Sequence, residues 1–380
     1  MKPISLYIHI PFCKQKCNYC DFISWSGMEN NFDGYINCLL KEIDLWQDRM
    51  KNRFIKTLFI GGGTPTYLHE AHICKVLDTC FRIFHIDKDA EITIESNPGS
   101  LSATKLKSYQ KSGINRISMG LQACQSHHLH SLGRIHSFEE FLYGYELARD
   151  IGFSNINIDV MFGLPNQTLM EWAETLTRIT ALYPEHISCY SLKIEEGTPF
   201  FNMIQKNLLK MPDEDIEREM YRYAVSFLSS KGYQHYEISN FALPGYESRH
   251  NVNYWTNKEY LGMGCGAHSY LKPFRMMNTS IFSDYIAKLK NGNTPIVEQH
   301  EITRKEEAFE TIMLGLRLCK GIDDKDFMDR YGFSLLLRYH DEINMLVQQD
   351  LLMIKYDNIR LTLKGLDLQN QVLLNFMEDC

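Results

Sequence analysis

Three cysteines fall within eight residues, in the run Leu6-Tyr7-Ile8-His9-Ile10-Pro11-Phe12-Cys13-Lys14-Gln15-Lys16-Cys17-Asn18-Tyr19-Cys20-Asp21-Phe22. The spacing is Cys-x3-Cys-x2-Cys. Three thiolates on one tight loop can hold three corners of a cubane iron–sulfur cluster, whose thiolate ligands are ordinarily four. Phe22 follows Asp21, so no fourth cysteine is near and the fourth iron would stay open to an exchangeable ligand. A structural zinc ion wants four protein ligands, usually with a second Cys-x2-Cys knuckle far along the chain. His9 is the neighbour that could complete such a site, although a strand residue here would ordinarily point inward. The other eight cysteines, Cys38, Cys74, Cys80, Cys124, Cys189, Cys265, Cys319 and Cys380, mostly sit in apolar or helical surroundings, the setting of small buried thiols.

Further along stand other groups with chemical potential. Phe59-Ile60-Gly61-Gly62-Gly63-Thr64 lets backbone approach a ligand without Cβ interference and would leave peptide groups free to bond it. Thr93-Ile94-Glu95-Ser96-Asn97-Pro98 ends on a carboxylate, with Ser96 and Asn97 better suited to capping a helix. Asp159 is flanked by Ile158 and Val160, where an unpaired charge would be costly, so it is expected to bond a ligand. Arg134 offers a planar donor fork suited to a carboxylate. In Arg249-His250-Asn251-Val252-Asn253-Tyr254-Trp255, a histidine stands among aromatic residues; by itself this reads first as a packed histidine in an aromatic-rich loop, although such a setting can also ligate a metal.

These residues need a scaffold. Short β-rich runs at Ile4 to Ile10, Lys56 to Ile60, Glu91 to Glu95, Ile114 to Met119, Asn155 to Val160 and His186 to Leu192 alternate with helical patterns. The helices are predicted over Phe32 to Met50, Ala71 to Phe84, Ser100 to Lys111, Phe138 to Ile151 and Thr168 to Leu182. Six βα units imply an α/β fold, an incomplete (β/α)6 TIM-type barrel with its chemistry at the strands' C-terminal ends. The chemical motifs fall there. A helix over Asp213 to Lys231 follows, then an aromatic and glycine-rich stretch, Pro244 to Tyr270, with little helical periodicity. Helices over Arg304 to Cys319, Asp323 to Tyr331 and Leu335 to Gln349, a hairpin turning at Asp357-Asn358, and a helix over Lys364 to Phe376 read as a winged-helix-like α+β domain. The expected organisation is therefore a barrel over 1–240, a connecting segment over 241–295 and a C-terminal domain over 296–380.

The 380 residues carry 40 Lys plus Arg against 47 Asp plus Glu, a net charge of −7, which excludes a globally basic nucleic-acid binder. Residues 301–380 alone carry −5, so the winged-helix plan is not expected to touch nucleic acid. No uninterrupted apolar run reaches the roughly 18 residues of a membrane span, and the N-terminus does not read as a signal peptide. A disulfide framework is unnecessary at this length. The expectation is a cytoplasmic protein.

The cysteine spacing resembles that of the radical S-adenosylmethionine (SAM) superfamily. More narrowly, the chain is similar to the HemW haem chaperones and their relatives, the oxygen-independent coproporphyrinogen III oxidases, in motifs running from Leu6 to Tyr270. The resemblance implies a [4Fe-4S] cluster on Cys13, Cys17 and Cys20, with the amino and carboxylate groups of SAM on the open iron. It assigns Tyr7, Tyr19, Gly62, Gly63, Thr64, Glu95, Gln122, Arg134 and Asp159 to the SAM pocket. His-Asn-x-x-Tyr-Trp resembles the mark of the haem chaperones and makes His250 the implied haem ligand. His268 and Cys265, in Leu261-Gly262-Met263-Gly264-Cys265-Gly266-Ala267-His268, are weaker candidates. The oxidases resemble Cys-x3-Cys-x2-Cys-x-Cys and carry an N-terminal extension; Phe22 and the short lead into Ile4 depart from both. The implied function is a chaperone that binds haem b as cargo and hands it to haem proteins such as respiratory enzymes, with peripheral membrane association where the recipient is a membrane complex. The alternative is radical decarboxylation of coproporphyrinogen III.

Overall fold

The computed structural model describes residues 1–377, and Cys380 lies outside the described residues. Six strands form the centre of the molecule: β1 (Lys2–Ile10), β2 (Arg53–Gly62), β3 (Ile86–Ser96), β4 (Arg116–Gln122), β5 (Ile156–Phe162) and β6 (His186–Ser191). They pair in chain order and all in parallel. Helices Phe32–Leu45, Glu70–Ile83, Ala103–Lys111, Phe138–Ile151 and Leu169–Thr180 make the crossovers. The last two open on capping boxes, Ser137 with Glu140 and Thr168 with Glu171, and Gly152 in the left-handed region closes the first of them.

The strands are not apolar throughout, as strands covered on both faces usually are. Ile117, Met119 and Leu121 of β4 join the hydrophobic core, while Arg116, Ser118, Gly120 and Gln122 face the barrel lumen. Asn157, Asp159 and Met161 of β5 face inward in the same way, between the core residues Ile156, Ile158 and Val160. A period of two thus builds a polar lumen inside an apolar shell.

The barrel sheet grows at both edges to twelve strands. Beyond β6 lie β8 (Asn240–Ala242) and then β7 (Gln234–Glu237), both antiparallel. Beyond β1 lies β9 (Tyr260–Met263), parallel to it, followed by β10 (His268–Leu271), β11 (Phe274–Asn278) and β12 (Ile296–Glu301), which pair antiparallel. The stretch expected to lack helical periodicity holds a helix, Arg249–Trp255, whose Ser248 cap accepts from Asn251 N. Its first two amides also donate to the Glu91 carboxylate, Arg249 N and His250 N each at 3.0 Å. That anchor is 158 residues away in the chain and leaves no local periodicity.

The C-terminal unit has its own core around Ile312, Phe327, Leu335, Ile343, Leu346 and Phe376. Strands β13 (Ile322–Asp323), β14 (Leu352–Lys355) and β15 (Asn358–Leu361) form its sheet in the order β13-β15-β14. Tyr356 and Asp357, both at positive φ, turn the β14–β15 hairpin. The helix expected over Leu335 to Gln349 breaks at Tyr339, and that over Lys364 to Phe376 breaks at Leu368. No helix among the described residues is long and apolar enough to cross a membrane.

A cysteine-lined cavity in the barrel mouth

The C-terminal ends of the parallel strands open on a cavity of about 1110 Å³. That exceeds the ~300–1,000 Å³ of ordinary small-molecule sites. The cysteine loop forms one wall. Cys13 N donates to Trp25 O (2.9 Å) and Trp25 N to Pro11 O (2.8 Å), closing the loop's base. Its tip docks on a distant turn: Asn18 N donates to Leu132 O (3.0 Å), Asn18 Nδ2 to Ser131 O (2.8 Å) and Gln15 Nε2 to Gly133 O (3.0 Å). Cys13, Cys17 and Cys20 all line the cavity. Burial raises the pKa of the Cys13 and Cys20 thiols, and the charge of Cys17 adds to this for both, while the Thr64 hydroxyl on Cys13 opposes it. Three cysteine sulfurs facing one cavity, with His9 engaged elsewhere, are the donor set a cluster's irons take, so the residues fit the group.

His9 is not a fourth ligand. Its Nε2 donates to Ile23 O at 2.7 Å, and its Nδ1 accepts from the Tyr7 hydroxyl at 2.9 Å. Both nitrogens are spent, and burial lowers its pKa.

The glycine run serves close approach, though not as free donors. Gly62 N donates to Glu95 Oε2 (3.0 Å), Gly63 N to Ile10 O (2.9 Å) and Thr64 N to Phe12 O (2.8 Å). The groups of this run whose polarity suits a ligand's ammonium are therefore its carbonyls. A Cβ on Gly62, at φ +116, would lie 2.6 Å from the His9 ring, and one on Gly63 would lie 2.9 Å from Cys13 Sγ.

Glu95 faces the lumen, and burial together with the nearby Asp159 charge pushes its pKa up to about 8. Asp159 is likewise raised by burial, but Ser118 Oγ (3.0 Å) and Asn157 Nδ2 (2.7 Å) donate to it. Its charge is thus met by neutral protein groups and does not by itself demand a ligand. Arg134 donates from Nη1 to Asn97 Oδ1 (2.6 Å) and from Nη2 to the Tyr19 hydroxyl (2.8 Å), while its buried Nε has no partner. Asn97, expected as a cap, instead bridges Arg134 and the Thr64 hydroxyl. Ser96 donates to Ser118 O rather than capping. Gln122 sits at φ 70 on a β-bulge, its amide folded back over Gly120. Tyr7 and Tyr19 line the same cavity, and burial raises both phenols, Tyr19 to about 12.

His250 lies deeper in the wall, stacked on Phe59 at 5.1 Å between ring centroids. Thr57 Oγ1 donates to Ser5 Oγ, so it accepts from His250 Nδ1 at 2.8 Å. The Nε2 lone pair therefore accepts from the Tyr254 hydroxyl at 2.9 Å. Burial lowers its pKa to about 3, which keeps the ring neutral. The imidazole is held in the tautomer a metal needs, with its lone pair covered by one phenol. His268 is exposed on β10, and Cys265 is fully buried with its thiol on Thr279 O; neither lines the cavity.

Sequence reasoning missed Arg116, a lumen residue 2% exposed whose Nε has no hydrogen-bond partner. Its place in the inward register with Ser118, Gly120 and Gln122 was the available signal.

A partial parallel barrel with three cysteines on the β1 loop and a glycine run after β2 defines a radical SAM protein. Residues 7–179 match the Radical SAM superfamily, and residues 302–368 match the HemN C-terminal domain. The solved structure titled coproporphyrinogen III oxidase (HemN) from Escherichia coli, a radical SAM enzyme, superposes with a TM-score of 0.85 at 25% identity, over 99% of this chain and 90% of that one. Heme chaperone HemW of Bacillus subtilis (strain 168) is 38% identical over 374 residues, covering 98% of this chain and 99% of its own length. HemW of Lactococcus lactis (strain IL1403) is 34% identical over 100% of this chain and 98% of its own, and that of Haemophilus influenzae 35% over 100% and 99%. The chain belongs to the HemW family of haem chaperones.

Proposed function

We propose that this chain is a haem carrier of the cytoplasm that binds haem b and passes it to haem proteins such as respiratory enzymes. Cys13, Cys17 and Cys20 would hold a [4Fe-4S] cluster. Tyr7, Tyr19, Gly62, Gly63, Thr64, Glu95, Gln122, Arg134 and Asp159 would form the SAM site. When bound, the cluster supplies one-electron chemistry toward SAM. The chain's own part is to place acceptors and a guanidinium around one pocket: Glu95 and the glycine carbonyls for an ammonium, Arg134 for a carboxylate.

The observation that carries the haem reading is the neutral, lumen-lining His250 with its Nε2 lone pair under the Tyr254 hydroxyl. Iron would replace that one hydrogen bond, with Tyr254 and Trp255 as aromatic walls. The cavity volume, above that of an ordinary single-ligand site, supports a second ligand beside SAM. Anaerobic absorbance titration of cluster-loaded protein with haem tests this. Saturation near one haem per chain is expected, weakened in His250→Ala and tightened in Tyr254→Phe. Binding indifferent to both substitutions moves the ligand elsewhere, and absent binding overturns the carrier.

The likeness to the coproporphyrinogen III oxidase structure favours a second reading, decarboxylation of a porphyrinogen. Phe22, 63% exposed at the cavity rim, occupies the position where the oxidases resemble a fourth cysteine. Protoporphyrinogen formed under anaerobic reducing conditions would establish that reading.

A further inference from the structure

Outside the cavity, at the rim between β4 and β5, His127 and His128 of the helix Ser126–Ser131 meet Glu171 of the helix Leu169–Thr180. Their ligand atoms all lie within 4.8 Å of one another. His127 Nε2 is 3.1 Å from Glu171 Oε1, and His128 Nε2 is 3.5 Å from Glu171 Oε2. His128 is 1% exposed, yet its Nε2 has no hydrogen-bond partner. Glu171 is held in place because its Oε2 accepts from Thr168 N (2.9 Å) and Thr168 Oγ1 (2.8 Å).

We propose that His127, His128 and Glu171 form a site for a divalent transition-metal ion of the zinc class, separate from the cysteine loop. Two imidazole nitrogens and a carboxylate oxygen are a donor set that holds zinc with a fourth position open. A tetrahedral ion with bonds of about 2.0–2.1 Å places its ligand atoms roughly 3.3 Å apart. His127 Nε2 stands near that separation from Glu171 Oε1, the carboxylate oxygen not taken by Thr168, and His128 Nε2 lies 3.5 Å from Oε2. A surface ion pair alone would account for the exposed His127. His128 is the harder case: it is buried, and its Nε2 reaches Glu171 Oε2 only at 3.5 Å without completing a hydrogen bond there.

The position gives the ion a role in the fold. The helix that carries both histidines leads straight into Ser131, Leu132 and Gly133, whose carbonyls hold Asn18 and Gln15 of the cysteine loop. An ion at Glu171 would tie that helix to the next βα unit and brace the loop's support.

The probe is Zn²⁺ alone, added anaerobically to cluster-loaded protein so that the three cysteines are already occupied. Elemental analysis after dialysis should find one zinc per chain beyond the iron. His127→Ala and Glu171→Gln should each weaken zinc binding by at least about tenfold while leaving the iron content unchanged. Zinc should also raise the melting temperature of the wild type and not of either variant. No zinc above the cluster-loaded baseline, or zinc retained by either variant, overturns the site.

Discussion

Gly63→Ala should separate the cysteine loop from the rest of the fold. A Cβ at Gly63 would sit 2.7 Å from the Phe12 carbonyl oxygen and 2.9 Å from Cys13 Sγ, where ordinary contact begins at 3.4 Å. The Phe12 carbonyl must therefore give by about 0.7 Å and the Cys13 sulfur by about 0.5 Å. Two of the three nearest atoms, Phe12 O and C, are main chain held by Cys13 N on Trp25 O and Thr64 N on Phe12 O, so that part of the strain does not relax into a side-chain rotation. Overpacking of that kind costs ~1–3 kcal/mol. Gly61→Ala is the internal control. Its Cβ would meet Glu95 Oε2 at 2.7 Å and the Phe59 ring at 2.8 Å, both side-chain ends. The assay is iron and sulfide per chain after anaerobic reconstitution, beside SAM binding to the reconstituted protein. Gly63→Ala should lose cluster; Gly61→Ala should keep the cluster and bind SAM more weakly because Glu95 is displaced. A full cluster in Gly63→Ala, with the melting temperature unchanged, would refute the geometry on which the site is built.

Three other outcomes are expected. Arg134→Lys removes the planar fork and should weaken SAM binding by about 10–100-fold, the equivalent of ~1.5–3 kcal/mol for a charged hydrogen bond, at unchanged iron content; undiminished SAM affinity would remove Arg134 from the site. Glu42 is fully buried and accepts from Gly264 N (2.8 Å), Asn278 Nδ2 (2.6 Å) and the Tyr285 hydroxyl (2.6 Å), so Glu42→Ala orphans three donors. It should cost at least ~3 kcal/mol in urea unfolding, and Glu42→Gln far less; equal effects would refute this. Burial pushes Glu42 and Glu237 up to about 7 and Glu95 up to about 8, so the fold loses stability as pH rises from the ordinary carboxylate range through those values. Burial lowers His136 to about 4 and His250 to about 3, and lowers His9, His186 and His235 as well, so the fold loses stability as pH falls below the ordinary imidazole value, and these five histidines outweigh the three carboxylates there. The melting temperature of cluster-free protein should rise as pH falls from 8.5 to about 6.5 and stop rising below that; a steady rise with pH across this range would refute the assignment.

What the chain announces by itself is what is encoded locally. The six parallel strands and their helices repeat a short-range pattern, and Cys13, Cys17 and Cys20 lie in one turn of chain, so both were legible. The helix Arg249–Trp255 was not, because its amides rest on Glu91, a partner supplied by the fold. Asn97 looked like a cap because capping is what an asparagine before Pro98 ordinarily does. Its real partners, Thr64 and Arg134, lie 33 and 37 residues away. The free peptide groups expected at Gly62 to Thr64 failed for the same reason: Ile10 and Phe12, brought beside them by β1, take the amides. Strands β9 to β12 extend the sheet through the pairing of β9 with β1, a long-range contact that short, mixed segments do not advertise.

The docking of the cysteine loop also sets an order of events during synthesis. Gln15 and Asn18 find their carbonyl partners only at Ser131, Leu132 and Gly133, and Asn18 O accepts from Phe200 N later still. At ~5–20 residues per second, the three thiols are made roughly 6–25 s before the chain that holds them in place exists. Through that interval they are ordinary reactive cysteines on an unsupported segment, open to oxidation and to the wrong metal. A cluster inserted into this protein must therefore arrive after at least about a third of the chain has been made, and whatever guards the nascent thiols has to let go at that moment.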